Sequence, residues 1–132
     1  QTIAFNKERG AKRYSRQPTK GETMSAEDMH ICIPVINKKP NMVYNEWGGF
    51  WVNTDTDSYD YKIEYLKFEP GSRFPEVIGK LFHVAYKVDN MDPYLAKAQT
   101  VVFGPEVLSP TARLAFIFMD DALIELYEEK TQ

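Results

Sequence analysis

Leu81-Phe82-His83-Val84-Ala85-Tyr86-Lys87-Val88 reads as a strand that opens with a histidine. It has an echo earlier in the chain. Met29-His30-Ile31-Cys32-Ile33-Pro34-Val35 is a second short apolar run with a histidine at its head, and the chain has only two histidines. Each run is followed by an Ile-Glu pair inside a strand-like segment: Ile63-Glu64 after the first, Ile124-Glu125 after the second. Glu64 lies 34 residues beyond His30 (from 30 to 64) and Glu125 lies 42 residues beyond His83. The order His, Ile-Glu, His, Ile-Glu is an internal repeat with an insertion, and it predicts two related halves sharing one core.

Working outward, the second half is the plainer. His83–Val88 is a predicted strand, and Asp92-Pro93 is a helix-start signal with Asp92 as N-cap, followed by a short helix over Tyr94–Ala98. Thr100–Phe103 reads as a short strand ended by Gly104-Pro105. Arg113–Met119 and Ala122–Glu128 read as a hairpin turned by Asp120-Asp121. The half therefore reads β-α-β-β-β. The first half has a strand over His30–Val35, a less decided stretch over residues 41–61, and a strand over Tyr61–Phe68, with too little room between the first two strands for a helix of the same size. One helical turn is predicted at Glu76–Gly79. Alternation puts His30 and Cys32 on one face of their strand, and Glu64, Leu66 and Phe68 on one face of theirs.

The 132 residues suit one domain, here residues 29–132, made of halves at about 29–79 and 80–130. Residues 1–28 read as a basic extension. Residues 1–23 carry six Lys/Arg against two Glu, net +4, and the rest of the chain nets −7. The extension lacks the aromatic interleaving of a single-strand binder, so no nucleic-acid partner is expected. No apolar run approaches the ~18 residues of a membrane span, and one cysteine excludes an intrachain disulfide framework, which together suggest a cytoplasmic protein. Cys32 itself reads as a small buried hydrophobe.

Two imidazoles and two carboxylates suit a divalent metal that keeps positions open for substrate. Singly, His30 and His83 are as well explained as hydrogen-bonded residues at strand ends, and Glu64 and Glu125 as solvated charges. In repeat register, with every histidine used, the four point to a site. If the halves pair about a twofold axis, His30 meets His83 and Glu64 meets Glu125 in one cleft. Trp47, Phe50, Trp51, Tyr59 and Tyr61 could wall an apolar pocket there, and Arg73, Lys80 and Arg113 are candidates for holding an anion.

The order His30, Glu64, His83, Glu125 resembles that of the vicinal-oxygen-chelate superfamily, which includes glyoxalase I, bleomycin-resistance proteins and ring-cleaving dioxygenases. The resemblance covers about residues 29–129. It is most specific in His83-Val-Ala-Tyr-Lys-Val-Asp89, the short helix, Arg113–Asp121 and Ile124-Glu125-Leu126. It implies an α+β fold of paired βαβββ modules, glyoxalase-like, with the helix of the first module reduced or absent. It also implies a metal held by His30, Glu64, His83 and Glu125, the ion being Zn, Ni, Mn or Fe. Glu125 or Glu64 would act as proton acceptor in lyase, isomerase or epimerase chemistry on a small oxygen-rich substrate through an enediolate-like intermediate. A homodimer is the implied assembly. Two alternatives stay open: a non-catalytic module that binds an antibiotic-like small molecule, and an Fe(II) ring-cleaving dioxygenase that uses only His30, His83 and Glu125.

Overall fold

The computed structural model describes residues 24–54 and 63–130. The basic residues 1–23 and residues 55–62, which include Tyr59 and Tyr61, lie outside them. Eight strands form one mixed, strongly curled sheet: β1 (Met24–Pro34), β2 (Met42–Asn45), β3 (Phe50–Asn53), β4 (Ile63–Phe68), β5 (His83–Val88), β6 (Thr100–Ser109), β7 (Ala112–Met119) and β8 (Ala122–Glu129). Helix is scarce among the described residues. It consists of a 3-10 turn at Glu76–Gly79 and α1 (Asp92–Lys97). No described helix is long and apolar enough to cross a membrane.

The strand order is β2-β3-β4-β1-β5-β8-β7-β6, which repeats itself when read from either end. At the centre β1 and β5 run antiparallel, with Ile31 opposite Val84, His30 opposite Ala85 and Cys32 opposite His83. A half-turn about the Ile31–Val84 pair therefore exchanges His30 with His83 and Cys32 with Ala85. The flanking pairs obey the same exchange. Strand β4 lies parallel to β1 with Glu64 opposite Cys32, and β8 lies parallel to β5 with Glu125 opposite Ala85. Because side chains alternate along a strand, His30, Cys32, Glu64, His83 and Glu125 all stand on one face of the sheet.

Strand β1 reaches back to Met24, which pairs with Val88, so residues 24–28 belong to the sheet rather than to a detached extension. A loop alone joins β1 to β2, and β2 and β3 form a hairpin that the imperfect alternation of residues 41–61 left undecided. The tight β7–β8 turn has Asp120 and Asp121 at φ 53° and 63°, the left-handed pair that a two-residue hairpin requires. Strand β6 runs through Gly104-Pro105 instead of ending there, by means of register shifts beside Phe103. Gly104 sits at φ 82°, where a Cβ would come within 2.5 Å of the Leu114 carbonyl oxygen.

Asp92 does not cap α1. It is the first helical residue, and the side chain of Asn90 accepts its amide hydrogen at 3.1 Å. Helix α1 covers the outer face of the second half, over a core of Val88, Met91, Ala115, Ile117 and Leu126. Glu128 is buried beside it at 1% exposure. It accepts two bonds from Arg113 at 2.8 Å each and one from the Met91 amide at 2.9 Å. From Leu114 to Met119 strand β7 is covered on both faces, which explains the unbroken apolar run there.

Candidate functional site

The inner face of the curled sheet carries a cavity of about 470 Å³. Its wall is aromatic: Trp47 from the β2–β3 turn, Phe50 from β3, Phe68 from β4, Phe74 from the loop after it and Phe116 from β7. Phe74 is the hinge of this wall, in ring contact with Phe50, Phe68, Phe103 and Phe116 at 4.7–5.9 Å between centroids. Alternation places these rings, because Leu66 and Phe68 on β4 share parity with Glu64, and Leu114 and Phe116 share a face of β7. The polar end is Glu64 and Glu125. The same two carboxylates also line a smaller hollow of about 240 Å³ with His30, Ala85, Lys87 and Tyr127.

Beneath them, His83 is 1% exposed and packs edge-on against Phe116 at 4.9 Å. Its Nε2 lies 2.9 Å from Glu125 Oε1. That separation serves a hydrogen bond, and it equally matches two neighbouring ligands of one ion, which stand about 3 Å apart when each bond is about 2.1 Å. Cys32 is fully buried, and its thiol donates to Glu64 Oε1 at 3.5 Å. One ligand atom from each of Cys32, His83 and Glu125 falls within 4.8 Å of the other two, a group able to hold a metal ion.

Burial dominates the electrostatics. Glu64 is held above the usual carboxylate range, first by desolvation and then by repulsion from Glu125, partly offset by His30, the Cys32 hydrogen bond and His83. Burial pushes the Cys32 thiol well up, and the charges of Glu125 and Glu64 push it further. Both effects favour neutral forms until a cation arrives.

The four residues expected from the sequence are thus distributed as follows. His83 and Glu125 touch. Glu64 and His30 share the smaller hollow with Glu125 but lie outside the 4.8 Å group. Cys32, read as a plain buried hydrophobe, belongs to the group, and its shared parity with His30 was the signal for it. Phe68, Phe74 and Phe116 were not anticipated as cavity walls, because they meet only across strands distant in sequence. Trp51 is not on the inner face. It packs on Tyr44 and under Lys38, and its indole donates to Glu69. The three basic candidates are engaged elsewhere: Arg73 on Trp47 and Glu106, Lys80 on Glu76, and Arg113 on Glu128 and Asp92.

In comparisons with known proteins, the sequence matches no family model and no curated protein.

Proposed function

We propose that the protein is a metal-dependent enzyme of the glyoxalase type, built from paired modules, that acts on a small oxygen-bearing substrate in the aromatic-walled cavity. The observation that carries this is the convergence of Cys32, His83 and Glu125 within 4.8 Å at the polar end of that cavity. The donor set fits a divalent first-row cation such as Zn, Ni, Mn or Fe, since imidazole nitrogen and carboxylate oxygen meet there on rigid neighbouring strands. His83 and Glu125 would hold the ion, with His30 and Glu64 approaching from the β1–β4 side. A cation bound there supplies Lewis-acid polarisation of a substrate carbonyl or hydroxyl.

The chain's own residues do the rest. The rings of Phe50, Phe68, Phe74 and Phe116 exclude water and orient an apolar substrate body, so that its oxygen-bearing end faces Glu64 and Glu125. Glu64, already biased toward its protonated form by burial, is suited to exchange a proton with substrate at Oε1 or Oε2. Glu125 would keep His83 oriented through the 2.9 Å contact.

Metal affinity of Glu64→Ala and Glu125→Ala, measured by calorimetry at fixed pH, tests the reading. Losses on the order of 10-fold or more in both variants are expected if the two carboxylates are ligands. Parent-like binding by Glu64→Ala, with failure of Glu125→Ala, would favour the Fe(II) oxygenase alternative. The apolar wall also suits a second reading, a non-catalytic module that sequesters an aromatic molecule. Less than about a tenth of an equivalent of metal after reconstitution would decide for that module, since a single tight site should fill to about one equivalent.

A further inference from the structure

The repeat leaves one position unmatched. The half-turn that exchanges His30 with His83 places Cys32 on Ala85, so one half offers a sulfur where the other offers a methyl group. The site is therefore asymmetric where its ligands are otherwise duplicated. Cys32 does not stand alone in pointing to an ion. Its sulfur converges with donor atoms of His83 on β5 and Glu125 on β8, all within 4.8 Å. His83, 1% exposed, presents Nε2 at 2.9 Å from Glu125 Oε1, and its Nδ1 has no hydrogen-bond partner among the described residues. The hydrogen bonds described for Glu64 and Glu125 run to Cys32 and His83, with none to a lysine or arginine.

We propose that Cys32 is itself a metal ligand, and that its thiolate with His83 and Glu125 selects a thiophilic divalent ion, Zn²⁺ or Co²⁺, over Mn²⁺ or Mg²⁺. The inference rests on the metal-binding reading above and deepens it by naming the class of ion. Coordination forms a metal–sulfur bond and breaks the S–H bond. The proton passes to Glu64 Oε1, which already accepts it at 3.5 Å, and from there to solvent. No oxidation state changes. A sulfur ligand is a soft donor that the hard cations Mn²⁺ and Mg²⁺ use poorly, whereas Zn²⁺ and Co²⁺ bind thiolate and imidazole together.

The full chain contains a single cysteine, so any thiolate signal from bound metal reports Cys32 without a variant. Metal-free protein is titrated with Co²⁺ under anaerobic conditions in a non-thiol reductant. Visible d–d absorption reports occupancy and near-ultraviolet charge transfer reports a Co–S bond. The expected result is one equivalent of Co²⁺ with a charge-transfer band that disappears in Cys32→Ser while the d–d bands persist. Zn²⁺ and Mn²⁺ affinities are measured in parallel for the parent and for Cys32→Ala, which copies Ala85. Preference for Zn²⁺ over Mn²⁺ should fall by about 10-fold or more in the variant. Co²⁺ binding without the charge-transfer band overturns the role of Cys32 and leaves the metal site standing. Failure of the parent to bind Co²⁺ or Zn²⁺ at all overturns both.

Discussion

Glu64 is a carboxylate that burial and Glu125 hold in unfavourable surroundings, and this has a consequence for stability. A carboxyl whose folded pKa is raised binds its proton more tightly in the folded state than in the unfolded one. Its stabilising contribution is therefore complete below the unfolded glutamate value of about 4.3 and is lost as pH rises through the raised folded value. Metal-free Glu64→Gln should melt a few degrees above the parent at neutral pH, and the two curves should converge below about pH 4. Thermal unfolding of chelator-treated protein across pH checks this. A Gln variant no more stable than its parent at pH 7 would show that the carboxylate is not strained. Stability given up at such a position is what a cation-binding or proton-transfer role leads one to expect.

At the scale of elements, α1, β7 and β8 are locked by one charge cluster. Arg113 on β7 holds the buried Glu128 of β8, and Glu128 in turn holds the Met91 amide at the head of α1. The guanidinium keeps Glu128 below the usual carboxylate range, and Glu128 holds Arg113 well above its ordinary value. Arg113→Met would leave a buried carboxylate without its cation, at a cost of about 3 kcal/mol, the low end of the range because Arg113 is 29% exposed. For a domain of this length the melting temperature should drop by about 10 °C. Adding Glu128→Gln to Arg113→Met removes the unpaired charge, keeps an acceptor for Met91, and should recover a large part of the loss. If the double variant is no better than the single, packing rather than charge explains the effect.

The eight described strands form one continuous sheet, and the candidate site lies across its central seam. Cys32 and Glu64 come from one side of the β1–β5 junction, His83 and Glu125 from the other. An ion held there would tie the two sides together and would bind only the folded state. Metal at 100 times its dissociation constant should stabilise the protein by about 2.7 kcal/mol, raising the melting temperature by roughly 10 °C. Far-ultraviolet circular dichroism and tryptophan fluorescence should report one coincident transition with and without metal, Trp47 and Trp51 lying in the first half and the strand signal coming from both. Two separated transitions would mean that the halves unfold independently, and no shift with metal would count against a site across the seam.

The sequence by itself determined whatever is short-range. The β7–β8 hairpin is set by an apolar run, two residues that tolerate positive φ, and a second alternating run, all within neighbouring residues. The repeat of histidine and Ile-Glu was legible for the same reason, since parity along a strand fixes which side chains share a face. Register between strands distant in sequence was not legible. Nothing local says that Cys32 faces His83 rather than Val84, or that Phe74 reaches Phe116, because each such pairing is selected by the summed packing and hydrogen bonding of the entire sheet. The role of Asp92 shifted for a smaller reason of the same kind: Asn90 and the Arg113–Glu128 cluster took over the helix start. Parity with His30 put the cysteine on the site face, and tertiary structure decided that it stands with His83, because only the antiparallel β1–β5 pairing carries its sulfur to the histidine of the other half.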